Sequence, residues 1–208
     1  MNAHQPKNTS CDIVPVSKAK AITGEDPILK KDTPHFVFAG RSNAGKSSVI
    51  NALANKSIAP TSNTPGKTTQ ITMYEFTGGQ GFLVDLPGYG YAKLSAKRVE
   101  KIRKQMIWYL ARSEAPIAEV FLVIDIRRGL QGIDRDLLEI TAGEGLPATV
   151  VANKTDKCNQ SELVENCRML DKQITELAGQ QVDVLEVSAR TGKGIDTLCT
   201  LITSHNAD

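Results

Sequence analysis

Aromatic residues, cysteines and long apolar runs are all scarce in this chain of 208 residues. No apolar run approaches the roughly 20 residues that a membrane-spanning helix needs. The four cysteines form no Cys-x-x-Cys pair, which argues against a zinc site and predicts reduced thiols. The first residues lack the apolar core of a secretory signal and the Arg-rich pattern of a transit peptide. We therefore expect a cytoplasmic protein with no membrane span.

Strong charge of either sign is also missing. The net charge is +2, so nucleic-acid binding would depend on a local basic patch rather than on a global field. At about 150 residues per domain, the length predicts one domain with an extension. Prolines and a glycine interrupt residues 1–34, which we expect to form a partly ordered N-terminal extension. Residues 35–205 are expected to form the domain, and the protein is expected to be a monomer.

One stretch, His35 to Asn51, carries the strongest functional signal. An apolar strand pattern ends at Gly40, and the pattern Gly-x-x-x-x-Gly-Lys-Ser then leads into helix-period apolar residues. Strand, glycine-bounded loop and helix are the context that a phosphate-binding loop requires. Lys46 would reach the β- and γ-phosphates and Ser47 would ligate Mg²⁺, while loop N–H groups and the helix dipole hold the anion. The candidate phosphate-binding residues are Gly40, Arg41, Ser42, Asn43, Ala44, Gly45, Lys46, Ser47 and Ser48.

From His35 onward, apolar strand patterns alternate with helix-period segments. This alternation predicts an α/β fold in which helices cover both faces of a mostly parallel, six-stranded sheet. A turn signal at residues 77–80 separates two apolar runs and predicts a hairpin, so one antiparallel strand is expected at the sheet edge. Further strands are predicted at Val120–Ile126, Ala148–Ala152 and Val182–Val187. Helices are predicted over Ser95–Arg112, Asp134–Ala142, Ser161–Leu177 and Gly194–Thr203.

A second motif, Asp85-Leu86-Pro87-Gly88, ends the second strand of the predicted hairpin. A carboxylate at Asp85 would hold Mg²⁺ through water, and the Gly88 N–H would approach the γ-phosphate. Asp, Pro and Gly also form ordinary turns. The position of the motif, about 40 residues after the phosphate loop, favours the metal site.

The third motif, Asn153-Lys154-Thr155-Asp156, follows the strand predicted at Ala148–Ala152. Parallel sheets bind ligands in the crevice beyond such strand ends. Asp156 would accept hydrogen bonds from guanine N1–H and the 2-amino group, and the Lys154 stem would cover one face of the base. Adenine lacks these donors, so two charge-assisted bonds of about 1.5 to 3 kcal/mol each predict roughly two to four decades of preference for GTP over ATP. Ser188-Ala189-Arg190, after the last strand, would supply a backbone N–H to guanine O6.

Tyr89 occupies the position where many GTPases carry the glutamine that orients the attacking water. A phenol cannot both donate and accept as a carboxamide does, so slow intrinsic hydrolysis is predicted. Within the phosphate loop, Asn43 offers a side-chain oxygen for a monovalent cation, which would stabilise charge beside the phosphates. The alternative is that Asn43 only stabilises its own turn.

Taken together, these segments resemble the EngB (YihA/YsxC) family of bacterial GTPases, within the TrmE-Era-EngA-EngB-septin group. The resemblance covers about residues 35–205 and rests on GRSNAGKSSVIN, NTPGKTT, DLPGYGYAK, DIRRGL, NKTDK and VSAR. It implies a Ras-like P-loop fold, binding of GTP and GDP with Mg²⁺, and a role in maturation of the large ribosomal subunit and its rRNA. It also implies a part in normal cell division. Relatives that use potassium make K⁺ a second candidate ion, at Asn43.

The resemblance also assigns residues to the site. It implies that Asn43–Ser48 bind phosphate and that the base is bound by Asn153, Lys154, Asp156, Ser188 and Ala189. The family commonly shows Gly-Arg-Thr-Gln in the first switch, where this chain has Gly66-Lys67-Thr68-Thr69-Gln70. Ungapped alignment makes Thr68 the Mg²⁺-sensing residue, whereas Thr69 takes that role if the loop shifts by one. The catalytic candidates are therefore Lys46, Thr68, Gly88 and Asn43, and the metal ligands are Ser47, Thr68 and Asp85.

The helix predicted over Ser95–Arg112 has one basic face. Its buried stripe is expected to hold Val99, Ile102, Met106, Tyr109 and Leu110, which leaves Lys97, Lys101, Lys104 and Trp108 opposite. Ammonium groups beside an exposed indole suit phosphate contact and base stacking, so this face is a candidate RNA surface. The alternative is a solvated basic face with Trp108 tucked against a neighbouring helix.

Two functions fit these observations. One is a GTP-hydrolysing factor that docks on the large ribosomal subunit precursor when it is GTP-bound. The other is a nucleotide-gated scaffold that binds a division or signalling protein, with hydrolysis incidental. The motif from Asn153 to Asp156 disfavours a third function, that of an ATP-dependent enzyme.

Overall fold

The computed structural model describes residues 22, 26–61, 70–76, 80–90, 95–178 and 182–205. The strands are β1 (His35–Gly40), β2 (Thr72–Glu75), β3 (Phe82–Asp85), β4 (Ile117–Asp125), β5 (Ala148–Asn153) and β6 (Asp183–Glu186). The α-helices are α1 (Lys46–Leu53), α2 (Ala96–Ala111), α3 (Gly132–Gly143), α4 (Gln160–Ala178) and α5 (Ile195–Ser204), with short 3-10 turns at Pro27–Lys30 and Thr155–Lys157. These bounds confirm the predicted strands and helices to within a few residues.

The strands that the structure describes form one six-stranded sheet in the order β2-β3-β1-β4-β5-β6. Each neighbouring pair is parallel except β2 with β3, which are antiparallel. The edge position of β2 confirms the predicted hairpin. The mostly parallel order confirms the predicted α/β class.

Both faces of the sheet are covered by helices because the central strands are mostly apolar and buried on both faces. Side chains alternate between the faces of a strand, so Val37 and Ala39 of β1 pack with α2, α3 and α4. Phe36 and Phe38 point to the other face and pack with α1 and α5. Leu29 lies within the segment expected to extend from the domain, yet it is buried in the first of these cores.

Parallel pairing brings the three predicted motifs to one edge of the sheet. The phosphate loop follows β1, Asp85 ends β3, Asn153 ends β5, and Ser188 comes just after β6. The carboxyl ends of parallel strands share one edge, where α/β sheets bind their ligands. The topology therefore gathers residues that lie more than a hundred positions apart in sequence.

The cysteines only partly follow the expectation of reduced thiols. Cys158 and Cys167 are free thiols, whereas Cys199 is disulfide-bonded, so that expectation was wrong for Cys199. A cross-link depends on which thiols the fold brings within reach, which sequence spacing does not show. Among the described helices, none is both long enough and apolar enough to cross a membrane.

A buried histidine opens the central strand. His35 has no exposed surface, and its Nδ1 lies 2.6 Å from the Tyr109 hydroxyl of α2. The ring also packs edge-on against Phe82. Burial disfavours the charged imidazolium and lowers the pKa of His35 from 6.5 to about 4.

We expect the unfolding free energy to decrease as pH falls from about 6.5 to about 4, because His35 binds a proton more readily in the unfolded chain. Stability falls wherever the unfolded state takes up more protons. At about 1.4 kcal/mol per pKa unit, the full effect is about 3 kcal/mol. Urea denaturation across this range should show a shallower pH dependence in His35→Gln.

The variant His205→Gln is the matched control, because it also replaces an imidazole but at an exposed position. It should retain the steep pH dependence of the unaltered chain. A His35→Gln variant with the same slope as the unaltered chain would contradict the assignment.

Candidate nucleotide-binding site

The loop between β1 and α1 has a backbone that only glycine permits at two positions. Gly45 has a φ of 97°, and a Cβ there would lie 2.3 Å from the Asn153 side-chain nitrogen. Gly40 faces the backbone of β4, where a Cβ would lie 2.3 Å from the Val123 carbonyl oxygen. Asn43, between them, has a left-handed φ of 73°, which asparagine tolerates better than most residues. The loop is therefore closed tightly against β4 and the end of β5.

Lys46 and Asp85 form a buried ion pair at the start of α1. The Lys46 ammonium donates to Asp85 Oδ1, and both side chains are nearly inaccessible to water. Burial lowers the pKa of Lys46 to about 7, so the ammonium needs an anion beside it to keep its charge. Asp85 supplies one such anion, and a phosphate group would supply another.

The second oxygen of Asp85 satisfies the requirement for a metal ligand. Asp85 Oδ2 is buried and has no hydrogen-bond partner among the described residues. Buried carboxylate oxygens are costly unless they are hydrogen-bonded, paired or metal-bound, and Mg²⁺ prefers oxygen ligands. Ser47, half-buried in the first turn of α1, adds a hydroxyl oxygen to the same loop. These residues fit Mg²⁺, whereas Thr68 and Thr69 lie outside the described residues.

The candidate base-recognition residues form a connected network at the ends of β5 and β6. Asn153 Nδ2 donates to the Ala44 carbonyl at 3.0 Å, and the Ala189 N–H donates to Asn153 Oδ1 at 3.2 Å. Ser188 Oγ donates to Asp156 Oδ1 at 2.8 Å. The asparagine thus ties the phosphate loop to the Ser-Ala segment, and the serine orients the carboxylate.

One oxygen of Asp156 remains available for a ligand. Asp156 Oδ2 is buried without a hydrogen-bond partner among the described residues. The nearest cations are Arg190 Nη1 at 3.6 Å and Lys157 Nζ at 4.0 Å, both beyond hydrogen-bond distance. A ligand with two adjacent N–H donors, such as guanine, matches this carboxylate.

Lys154 lies across the phosphate loop and is fixed by a carboxylate that the sequence analysis did not assign. Its ammonium donates to the Asn43 carbonyl and to Asp125 Oδ2 at 3.0 Å. Burial raises the pKa of Asp125, but hydrogen bonds from Arg127 and Lys154 outweigh it and lower that pKa to about 2. Its position in the sequence could have indicated this role, because Asp125 ends β4 just as Asp85 ends β3.

The segment after β3 lies against the phosphate loop. Gly88 approaches Ser42 so closely that a Cβ would lie 3.1 Å from Ser42 Oγ. The Ser42 N–H donates to the Tyr89 carbonyl at 2.8 Å, and Arg41 Nη2 donates to the Gly90 carbonyl at 3.3 Å. The Arg41 side chain is therefore directed to Gly90. Ser48, the last of the candidate phosphate-binding residues, is exposed on α1.

The Tyr89 ring is buried rather than placed at the site. It is only 2% exposed, and its hydroxyl donates to Asp134 Oδ1 of α3 at 2.6 Å. Its position in the sequence suggested a residue facing the attacking water. The side chain instead enters the core, because Tyr89 points from the segment after β3 toward α3.

The basic face of α2 is only partly as expected. Lys97, Lys101 and Lys104 are exposed, and the predicted stripe is buried at four positions and half-buried at Val99. Trp108, however, is half-buried and packs against the core, with its ring centroid 6.1 Å from that of Tyr109. The expectation of an exposed stacking indole was wrong, because Trp108 lies beside the buried stripe and its large ring turns toward it.

Three features of this site define a P-loop GTPase. They are the glycine-bounded phosphate loop, the buried lysine paired with the aspartate of β3, and the Asn-Lys-x-Asp network. Residues 35–154 match the family model described as 50S ribosome-binding GTPase, and residues 110–208 match that of the elongation factor Tu GTP binding domain. A probable GTP-binding protein EngB of Aquifex aeolicus is 40% identical over 171 residues, which cover 82% of this chain and 90% of the relative. The chain belongs to the EngB family of GTP-binding proteins.

Solved structures agree with this fold. The crystal structure of a probable GTP-binding protein engB superposes with a TM-score of 0.63 at 25% identity, covering 83% of this chain and 98% of that one. Era in complex with MgGDPNP and part of 16S ribosomal RNA gives a TM-score of 0.64 at 20% identity, covering 83% of this chain and 56% of Era. The second likeness shows the fold alone.

Proposed function

We propose that this GTPase acts in assembly of the large ribosomal subunit and docks on the subunit precursor in its GTP-bound state. The observation that carries the proposal is the match of residues 35–154 to the 50S ribosome-binding GTPase family. Because its target is a ribosomal precursor, the protein acts in the cytoplasm in this proposal. A supply of large subunits also links the protein to normal cell division. In this proposal the chain acts as a monomer.

The site residues have distinct roles in GTP binding and hydrolysis. Lys46 contacts the β- and γ-phosphates, the Gly88 N–H faces the γ-phosphate, and the remaining loop N–H groups hold the anion. Ser47, Asp85 and Thr68 would hold Mg²⁺, and the bound ion would neutralise charge on the phosphates. Asp156 selects guanine, beside Lys154 and Arg190. The Ala189 N–H donates to Asn153 Oδ1, so it would leave that bond to reach guanine O6. Separate Thr68→Ala and Thr69→Ala variants, compared by their loss of affinity for a GTP analogue relative to GDP, decide between the two threonines.

Intrinsic hydrolysis is slow in this proposal because the residue after Gly88 is turned away from the site. Tyr89 is buried and bonded to Asp134, so it cannot orient a water molecule at the γ-phosphate. Asn43 is exposed beside the phosphate loop and is the candidate ligand for K⁺. Hydrolysis rates in potassium and sodium salts test this role, and equal rates would count against it.

The exposed lysines of α2 are the proposed contact with ribosomal RNA. Lys97 and Lys101 are exposed, and among the residues that the structure describes Lys104 pairs only with Glu100, at 3.7 Å across a solvated helix surface. Such a surface pair contributes little and leaves the ammonium able to contact phosphate. Without an exposed Trp108, the contact is electrostatic, so its affinity should fall steeply with salt.

We expect the triple variant Lys97→Glu, Lys101→Glu, Lys104→Glu to lose GTP-dependent co-sedimentation with large ribosomal subunit precursors. The unaltered chain should sediment with subunits in a GTP analogue and much less in GDP. Each lost phosphate contact lowers the number of counterions released on binding. The triple variant should therefore bind at least roughly tenfold more weakly at moderate salt.

The control reverses three exposed cations elsewhere, Arg168, Lys172 and Lys193, which changes the net charge equally. It should bind subunits as the unaltered chain does. Equal losses in both triple variants would show a nonspecific charge effect. No nucleotide-dependent sedimentation of the unaltered chain would favour the scaffold function.

A further inference from the structure

The backbone around Gly88 continues the pairing of β1 with β3 into the phosphate loop. The Leu86 N–H donates to the Phe38 carbonyl at 3.0 Å, and the Ser42 N–H donates to the Tyr89 carbonyl at 2.8 Å. Arg41 and Tyr89 form a parallel bridge. Gly88 therefore lies between Leu86, whose backbone is fixed against β1, and Tyr89, whose backbone is fixed against the phosphate loop.

The side chain of Tyr89 extends this attachment to α3. Its hydroxyl donates to Asp134 Oδ1 at 2.6 Å, and Asp134 Oδ2 accepts the Gln131 N–H at 2.9 Å. Asp134 has no exposed surface. One carboxylate thus holds the Tyr89 hydroxyl and the first residue before α3 at the same time.

Core packing does not account for this hydrogen bond. Asp134 caps the start of α3 through the Gln131 N–H, which accounts for the carboxylate but not for the tyrosine. A phenylalanine would fill the volume of Tyr89 without burying a hydroxyl, which costs free energy unless it is hydrogen-bonded. A hydrogen bond to a buried carboxylate instead restrains the tyrosine to one position, which packing alone does less strictly.

We propose that Tyr89 is a positioning residue for γ-phosphate recognition: its hydroxyl, held by Asp134, fixes the backbone of Gly88 so that the Gly88 N–H faces the γ-phosphate. The inference rests on the proposed GTP site. GDP lacks the γ-phosphate, so the restraint should affect GTP and leave GDP binding unchanged. Tyr89, which replaces the usual glutamine, then affects GTP binding through the backbone of Gly88.

The experiment measures the dissociation constants of GDP and of a hydrolysis-resistant GTP analogue, with Mg²⁺, for the full chain and for Tyr89→Phe. We expect the constant for the analogue to rise about tenfold, as for loss of a charge-assisted hydrogen bond, while that for GDP changes less than twofold. Unchanged GDP binding also shows that the variant is folded. Asp134→Ala should weaken analogue binding similarly, and the double variant should be no worse than Asp134→Ala alone.

The matched control is Tyr109→Phe, which also removes a buried tyrosine hydroxyl bonded at 2.6 Å, to His35. It should bind both nucleotides as the unaltered chain does. A Tyr89→Phe variant with an unchanged ratio of analogue to GDP affinity would overturn this inference alone. Failure of the unaltered chain to bind the analogue would overturn the proposed function and this inference with it.

Discussion

Asp156→Asn is expected to lower the affinity for GTP by roughly two to four decades and to create affinity for xanthosine triphosphate. The carboxylate, whose buried Oδ2 has no hydrogen-bond partner among the described residues, would accept two guanine donors worth about 1.5 to 3 kcal/mol each. An asparagine amide presents a donor to the guanine 2-amino group, which cannot accept. Xanthine has a carbonyl oxygen at that position and pairs with the amide. Competition of GTP, ATP and xanthosine triphosphate for a fluorescent nucleotide measures the change.

The control is Asp171→Asn, the same replacement at an exposed position of α4. It should leave the order of nucleotide affinities as it is. Loss of all nucleotide binding in Asp156→Asn, without a gain for the xanthine nucleotide, would assign Asp156 to folding rather than to the base. Ser188→Ala should show a smaller loss of affinity, because it keeps the carboxylate and removes the 2.8 Å bond that orients it, together with the bond that Ser188 Oγ accepts from the Thr191 N–H.

Lys46→Met is expected to damage stability and nucleotide binding together. Lys46 is 6% exposed and Asp85 is fully buried, so the variant leaves a buried carboxylate without its partner. Breaking a buried pair from one side costs about 3 to 5 kcal/mol. Loss of the charge-assisted bond to the phosphates lowers affinity by about two decades. Urea denaturation and titration with GDP measure the two effects.

The double variant Lys46→Met, Asp85→Leu separates the two losses. Replacing both partners of a buried pair with apolar residues is often neutral or stabilising, so unfolding stability should recover. Nucleotide binding should stay low, because the double variant lacks both the ammonium and the carboxylate that we propose as a Mg²⁺ ligand. Recovery of binding along with stability would show that Lys46 serves the fold only.

The elements of this fold were predictable because their signals are local. The strand-loop-helix from His35 to Asn51 appears within one short stretch of sequence, and the alternation of apolar periods predicts the sheet and its helices. The phosphate loop, Asp85, Asn153 and Asp156 were assigned because each follows a strand, and strand ends meet at one edge. Asp125 also ends a strand and opens the segment DIRRGL, but its role required the observed contact with Lys154.

Other features depended on what lies opposite a residue in space. The helical stripe of α2 was correct, yet the burial of Trp108 depends on its packing against the core and the Tyr109 ring. Tyr89 was recognised as an unusual residue after Gly88, but its partner lies 45 positions away, and no pattern links them. The cross-link of Cys199 likewise follows from proximity in the fold.

The class of protein, the phosphate loop and the preference for guanine could all be predicted from the sequence. Each depends on a short motif: a glycine pattern, a strand period or the Asn-Lys-x-Asp segment. Tertiary structure alone decided which partners the side chains meet: Asp85 for Lys46, Asp125 for Lys154 and Asp134 for Tyr89. Those pairings are set by strand order and helix packing, which bring together residues whose separation in sequence has no fixed period.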